Sequence, residues 1–321
     1  MPSWNIHIAH AEGLLAECGP LAGAVRDRNA FLFGSLVPDI YVGYMVPCVV
    51  HPIPYRVTHF AAPEHIPKPR EGEFWDMYIA PMACELGISI DEPAARGLCI
   101  GDEAGSLSRE VAHVSPAHTP TYDLAFDPAQ SARFKREAFE SAKAGVVLDD
   151  GDDVSTIPFA DGPSAGPYAP ELSRALFDLV LGTWAHLLAD TIWNRRVSDF
   201  LDALGERPSR DFRIKKQGDF DQFGKSLAID SFPVPTPRLI DLATRFPQYA
   251  IDGRSVCFTC AIAHEIVRTN SLSVPPAYRL LTEEFFTATF AEVQSEAVRL
   301  MHARLAPCAA APELCGRRQD S

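Results

Sequence analysis

The chain has 321 residues, of which 47% are hydrophobic and 22% are charged, and such proportions are ordinary for a globular protein with a sizeable core. Acidic residues outnumber Lys and Arg by 42 to 29, which gives a formal net charge of −13. This balance excludes a generally basic surface for sequence-independent nucleic-acid binding, so we expect no nucleic-acid-binding signature. A local basic patch remains compatible with it.

The start of the chain and its apolar segments carry no recognisable targeting or membrane signal. Residues 1–7 lack the basic region, apolar core and small-residue cleavage site of a secretory signal. The apolar segments at 31–37 and 40–50 are too short for a transmembrane helix and are interrupted by proline and glycine. The eight cysteines show no disulfide-scaffold spacing. We therefore expect a cytoplasmic protein with reduced thiols and no transmembrane segment.

Three candidate ligands lie in the first sixty residues. A short amphipathic helix predicted over residues 7–18 carries His7, and a second helix is predicted around 21–27. An apolar segment then closes on a Pro-Asp turn at Asp39, a residue that in such surroundings is either a helix cap or a ligand. Residues 55–60, predicted to be extended or a turn, present His59.

The stretch from about residue 87 to 166 has mixed character, and we predict that it is an insertion within one helical domain. It follows a predicted helix over residues 74–86 that contains Pro81, and it includes a predicted helix at 129–144. Its acidic run DDGDD at 149–153 lacks the alternating ligands and distal Glu of an EF-hand loop. A solvated loop is therefore favoured over a calcium site.

The central segment Pro170–Leu204 is predicted to be one long helix, because its leucines and tryptophans recur at helical spacing. Pro170 and Glu171 suit its first turn. His186 and Asp190 lie four residues apart and project from one face into apolar surroundings. Buried groups of this kind need partners. The two are either a hydrogen-bonded core pair or ligands of one ion.

Further helices are predicted over residues 236–245, with Thr236 as N-cap, and over 255–268 and 276–305. Strand-like alternation is scarce. The sequence therefore predicts a single all-α domain over residues 1–305 around the central His-x-x-x-Asp helix, followed by a disordered tail at 306–321.

Two further groups of side chains allow more than one interpretation. Asp219 and Asp221 precede a short predicted helix and are either its N-cap and first-turn acids or additional metal ligands. Cys257 and Cys260 form a C-x-x-C pair that could be redox-active or half of a zinc site. Their apolar helical setting favours two buried thiols instead.

The candidate ligands in apolar surroundings together form a set of three imidazoles and two carboxylates without a thiolate: His7, Asp39, His59, His186 and Asp190. Such a borderline-to-hard set suits a catalytic metal with open positions better than a closed structural site. The two oxygens of Asp190 could bridge a pair of ions about 3.5–4 Å apart, the separation used to clamp a phosphodiester.

The same residues lie in four sequence motifs: MPSWNIHIA, FLFGSLVPDI, VTHF and GTWAHLLADTIWN. In this order the segments resemble the zinc-dependent phospholipase C family, whose fold is related to that of the single-strand-specific zinc nucleases. They cover the first sixty or so residues and the central helix, roughly a third of the chain. The resemblance implies an all-helical fold with a metal cluster where the segments meet.

Carried over residue by residue, the resemblance implies metal ligands at His7, Asp39, His59, His186 and Asp190. It also makes Asp39 a candidate general base. Two departures reduce the implied metal count from three to one or two. Arg196 occupies the position of the first histidine ligand of the third metal, and Trp4 is internal where the family has a mature N-terminal tryptophan. Asp219 or Asp221 could substitute as an oxygen ligand.

We therefore expect a metal-dependent phosphoester hydrolase that uses Zn²⁺, with other divalent metals as alternatives. Phospholipid head-group diesters are the first substrate class by resemblance, and nucleotides or other small phosphodiesters are the second. A catalytically degenerate metal-binding protein with a structural or interaction role is the alternative from another class. A phosphohydrolase of the HD type is disfavoured because the sequence contains no His-Asp dipeptide.

Overall fold

A computed structural model describes residues 2–16, 21, 24–43, 45–46, 49, 52–62, 64, 66–89, 170–205 and 207–305. Within these ranges the regular structure is helical, apart from an isolated antiparallel bridge between Ala61 and Pro69. The prediction of an all-α fold is confirmed. Most of the predicted insertion, the predicted helix at 129–144 and the predicted tail at 306–321 lie outside the described residues.

The helices are numbered here in chain order. They are α1 (Trp4–Leu15), α2 (Arg28–Gly34), a 3₁₀ turn (Val37–Asp39), α3 (Tyr55–Thr58), α4 (Glu71–Phe74), a π-helical segment (Trp75–Ile79), α5 (Ala80–Leu86), α6 (Pro170–Leu204), α7 (Arg210–Ser226), α8 (Pro237–Thr244), α9 (Gly253–Thr269) and α10 (Glu283–Leu305).

The central helix α6 has the predicted bounds, Pro170–Leu204, and forms the middle of the core. It is apolar on almost every side because α1, α2, α5, α8 and α10 all pack against it. By length and composition alone its segment Leu172–Leu204 could cross a membrane, contrary to the prediction that no apolar segment is long enough. The most apolar 18-residue window of this segment is 94% buried inside the protein, as in a core helix.

The α2 and α6 helices cross with their backbones in direct contact at Gly34 and Gly182. A Cβ atom on Gly34 would overlap the carbonyl oxygen of Leu179, and one on Gly182 would overlap that of Phe31. The hydroxyl of Thr183 donates to the carbonyl of Gly34 at 3.2 Å and so joins the two helices at the same point. Only glycine at both positions permits this approach.

Several predicted helices differ from the structure, and three of these differences have a local cause. The described residues among 21–27 form no helix, and α2 begins at Arg28, because the Asp27 side chain caps it by accepting from the amide of Ala30. The α7 helix begins at Arg210, capped by Ser209, so that Asp219 and Asp221 lie within it and not at its start. These caps outweigh the weak apolar periodicity of both segments.

The last helix begins at Glu283 and not at residue 276. The buried Asp219 carboxylate accepts hydrogen bonds from the backbone amides of Arg279, Leu280 and Leu281 at 2.7–2.9 Å. These amides are therefore held by a side chain of α7 rather than by a helical turn, and the preceding segment stays outside the helix.

The predicted helix at 74–86 and the predicted cap at Thr236 agree with the structure. The α5 helix tolerates Pro81 because a π-helical turn precedes this residue. In that turn the amide of Ala80 donates to the carbonyl of Trp75. The Thr236 side chain accepts from the amide of Leu239, with Pro237 in the first helical position.

Gly182→Ala should destabilise the protein by about 3 kcal/mol or more, because the added methyl group meets backbone and cannot be relieved by a rotamer change. The matched control is Gly218→Ala in α7, where an added Cβ has no neighbour within 4 Å. The control should be stabilising by about 0.5–1 kcal/mol through its helix propensity. Urea unfolding of both variants measures the difference, and equal effects would contradict the close crossing.

Candidate metal centre

The structure brings together the five side chains His7, Asp39, His59, His186 and Asp190, which come from four separate elements. His7 lies on α1, Asp39 ends the 3₁₀ turn, His59 follows α3, and the other two lie on α6. All five are buried. The cluster therefore forms where the N-terminal elements meet the central helix.

Asp190 is close to all three imidazoles. Its Oδ1 lies 3.5 Å from His7 Nε2, and its Oδ2 lies 3.6 Å from His59 Nε2 and 3.9 Å from His186 Nε2. Asp39 approaches from the other side, with its Oδ1 3.3 Å from His59 Nε2. Each separation exceeds an ordinary hydrogen bond but suits atoms that share one ion.

The proton on His186 is fixed by the backbone. Its Nδ1 lies 2.8 Å from the carbonyl oxygen of Ser35, and a carbonyl can only accept. Nδ1 therefore carries the hydrogen of the neutral ring, and Nε2 presents a lone pair to the cluster. This arrangement, in which the second nitrogen is held by a backbone carbonyl, is the one usual for metal-ligating histidine.

His59 is oriented in the same sense by Thr58. The Thr58 hydroxyl lies 3.3 Å from the carbonyl of Tyr55, to which it donates, and 2.8 Å from His59 Nδ1, from which it accepts. Nε2 of His59 then also presents a lone pair. It lies 3.4 Å from Nε2 of His186, so two acceptor nitrogens face each other beside two carboxylates. A shared cation would satisfy this arrangement.

Each carboxylate has one oxygen held by a neutral donor and one oxygen left free. Trp4 Nε1 donates to Asp39 Oδ2 at 2.9 Å, and the Tyr55 hydroxyl donates to Asp190 Oδ2 at 2.9 Å. The other oxygen of each, Oδ1, is buried without a hydrogen-bond partner among the described residues. Free buried lone pairs of this kind are costly unless a ligand completes them.

The His7 ring stacks on the His186 ring, with centroids 3.7 Å apart and planes 7° from parallel. Both of its nitrogens are buried and have no hydrogen-bond partner among the described residues. Stacking therefore positions the ring while leaving Nε2 available beside Asp190. His7 is the least firmly oriented of the three imidazoles.

Burial and neighbouring charges perturb the pKa values of His186, Asp190 and Asp39. Burial, assisted by His7, lowers the pKa of His186 to about 3, so this imidazole is neutral near pH 7. Burial raises the pKa of Asp190, but the approach of His7 and the other imidazoles outweighs burial and holds that pKa well below its usual range. The pKa of Asp39 is also lowered, since the His59 contact and the imidazole charges outweigh its burial. The unprotonated ligand forms of these three residues are therefore favoured.

The donor atoms form two overlapping groups: His7, Asp39 and His186; and His59, His186 and Asp190. Within each group one ligand atom per residue lies within 4.8 Å of the others. These buried groups could hold a metal ion. Because His186 has a single free nitrogen, it can serve only one ion at a time. A second ion would rely on His7 and the free Oδ1 of Asp190.

The two additional candidate ligands, Asp219 and Asp221, do not join the cluster. Both oxygens of Asp219 accept backbone amides, and Asp221 is exposed and accepts from Gln217. Neither belongs to the two donor groups. Cys260 is buried and Cys257 is half-buried, and both are free thiols, in agreement with their predicted setting except for the partial exposure of Cys257.

Sequence reasoning missed the residues that orient the ligands, namely Trp4, Ser35, Tyr55 and Thr58. Thr58 and Tyr55 stand within four residues of His59, so the hydroxyl groups of YRVTHF were a usable signal. The bond from Trp4 to Asp39 spans 35 positions and could not be inferred from spacing.

Comparison with known proteins identifies no relative: no family model, no curated protein and no solved structure matches this chain.

Tyr55→Phe should weaken metal binding about 10- to 100-fold, because it removes the donor that orients Asp190. The matched control is Tyr41→Phe, which deletes a hydroxyl bonded at 2.9 Å to Asp252, a carboxylate outside the cluster. Competition of each variant with a chromogenic zinc chelator gives the affinities. Equal affinities in the two variants would show that the Tyr55 hydroxyl does not support the site.

Metal-free protein should lose stability as the pH falls from 6.5 towards 3. In this window an unfolded chain protonates His186, whose ordinary pKa is 6.5, whereas the folded chain, with a pKa of about 3, does not. In His186→Asn the pH dependence of the unfolding free energy should decrease by about 1.4 kcal/mol per pH unit near pH 5. Urea titrations with chelator at several pH values measure it. Identical slopes in both proteins would refute a neutral buried His186.

Proposed function

We propose that this protein is a metal-dependent phosphoester hydrolase with phospholipase C-like chemistry. One observation carries the proposal: lone pairs from two imidazoles and two carboxylates converge at 3.3–3.9 Å in a buried site. A divalent cation would satisfy all of these groups at once.

The residues present fit zinc. His59 Nε2, His186 Nε2, Asp39 Oδ1 and Asp190 Oδ2 would hold the first ion, and His7 with Asp190 Oδ1 would hold a second. Nitrogen and oxygen donors without thiolate suit a catalytic zinc site, and they also accept other divalent metals. When bound, the metal supplies positive charge for a phosphoryl oxygen and lowers the pKa of water towards neutrality.

The chain's own groups would then position substrate and water. Asp39 has the most exposed side chain among the paired ligands, at 5%, so we place the substrate's approach on its side of the cluster. Its lowered pKa makes it a weak proton acceptor, which favours its role as a ligand that orients water. Trp4 holds its Oδ2 and leaves Oδ1 for that purpose.

The substrate class is supported by the four segments that resemble the phospholipase C family. MPSWNIHIA and FLFGSLVPDI contain Trp4, His7 and Asp39, while VTHF and GTWAHLLADTIWN contain the other three ligands. These motifs follow one another along the chain in the order that the resemblance implies, and their ligand residues lie close together in space. Phospholipid head-group diesters remain first, and nucleotide-directed hydrolysis second.

The discriminating experiment is elemental analysis of protein purified without chelator, followed by assay of a generic aryl phosphodiester, a phosphatidylcholine and a cyclic nucleotide. Bound zinc with turnover of a diester is the expected result. Bound metal without turnover of any of these esters would favour the degenerate structural protein instead, and absence of metal would overturn the proposal.

Asp190→Ala should cost more than 100-fold in turnover and empty the whole site, because Asp190 contacts all three imidazoles. His7→Ala should vacate only the second position and retain one ion. Metal stoichiometry and diester turnover of the two variants, prepared side by side, test this difference. Equal metal content in both would exclude a bridging role for Asp190.

His10 lies on α1 three residues after His7, and its surroundings give it a structural role. His10 is buried, accepts from Trp193 Nε1 at 3.2 Å and stacks on Phe290. The His10→Ala variant should lower the melting temperature through lost packing. It should keep its metal content, since His10 belongs to neither donor group.

A further inference from the structure

The first half of α7 carries a basic surface that the metal centre does not use. Residues 207–216 read RPSRDFRIKK and contain five basic residues and one acid, in a chain with 13 more acids than bases. Arg210, Arg213 and Ile214 stand at helical positions i, i+3 and i+4 and are all exposed. We call Arg207, Arg210, Arg213, Ile214 and Lys215 the basic face.

Its arginines lack carboxylate partners in the described part of the chain. No described residue forms an ion pair or hydrogen bond with the side chains of Arg207, Arg210 or Arg213, whereas Arg268, Arg299 and many others pair with a nearby carboxylate. Lys215 does pair with Asp211, at 2.7 Å. An acidic protein that leaves neighbouring guanidinium groups unpaired keeps them available for an anion outside the chain.

The apolar component distinguishes between anionic partners. Ile214 is 58% exposed between these cations, and Leu204, the last residue of α6, is 51% exposed. They are two of only four large hydrophobic side chains that are strongly exposed in the described residues. A nucleic-acid backbone offers nothing apolar to cover them, while the boundary between headgroups and acyl chains does.

The α7 helix also connects this face to the neighbourhood of the metal centre. Lys216, next to Lys215, is half-buried and lies 5.8 Å from the ring centroid of the buried Phe220. The same helix packs against α1, the helix that carries one of the candidate ligands, since a Cβ atom added to Gly224 would lie 3.0 Å from Asn5 Cβ. The inward side of the helix thus approaches the site while its outward side carries the basic face.

We propose that the basic face docks on an anionic phospholipid surface, with Ile214 entering the headgroup region and the arginines contacting lipid phosphates. That this lipid surface also supplies the substrate rests on the proposed function. The docking itself does not depend on the proposed function. Each basic residue near an anionic membrane strengthens binding about fivefold.

Sedimentation of the full chain with vesicles tests the docking. Binding is expected to vesicles of equal parts phosphatidylglycerol and phosphatidylcholine, to weaken at roughly 0.5 M salt, and to be lost on pure phosphatidylcholine. Arg213→Glu should reduce affinity about fivefold or more. Lys225→Glu is the matched control, since it makes the same charge change at an exposed site near the other end of α7 and should have little effect.

Ile214→Ser removes the aliphatic group without changing charge and should also weaken vesicle binding. Equal sedimentation of the Arg213 and Lys225 variants, or binding independent of anionic lipid, would overturn the proposal. Binding of a single-stranded RNA through Arg213, without vesicle binding, would reassign the face to nucleic acid. Because sedimentation involves no turnover, vesicle binding by a protein without metal would refute the proposed hydrolase and leave the docking intact.

Discussion

The close crossing of α2 and α6 fixes the position of the candidate metal centre, because no side chain separates their backbones at Gly34 and Gly182. The residue after Gly34 supplies the carbonyl that binds His186, four residues beyond Gly182. The chain then turns through Val37–Asp39 and brings the Asp39 carboxylate to the same point. One backbone contact therefore sets the distance between two ligands and the orientation of one.

The other ligands of the cluster are positioned with decreasing firmness relative to the crossing of α2 and α6. Asp190 follows His186 by one helical turn and inherits its position from the same helix. His59 reaches the cluster from α3 and is held by Thr58 and by its contacts with Asp39 and Asp190. His7, which relies on ring stacking, is constrained least. The geometry is accordingly firmest where α6 supplies the ligands.

Much of the fold could be predicted from the sequence where a single physical signal dominated. The bounds of α6 follow from 35 residues with continuous apolar periodicity, and Thr236 with Pro237 marks the start of α8. Prediction failed where capping decided the outcome over weak periodicity. Ser209 begins α7 well before Asp219, and Asp219 itself binds amides sixty residues later, a contact that no local pattern encodes.

The ligands of the candidate site could be selected because each is a polar residue in an apolar segment. Their partners could not all be selected by this criterion, since Trp4 and Tyr55 look like ordinary core aromatics in the sequence. Only the fold shows that their polar atoms reach Asp39 and Asp190. The number of ions likewise depends on which oxygen each donor occupies, and spacing carries no information about that choice.

The bond between His186 and the Ser35 carbonyl has a consequence for how this site tolerates sequence change. A backbone carbonyl is present whatever amino acid occupies position 35, so genetic drift at that codon leaves the histidine's tautomer untouched as long as the new side chain fits. Asp39 and Asp190 depend instead on the indole of Trp4 and the phenol of Tyr55, which few replacements can imitate. In a library of random variants, substitutions at Gly34 would therefore disturb the orientation of His186 more than substitutions at Ser35 would. The two carboxylates would be most sensitive to substitutions at Trp4 and Tyr55.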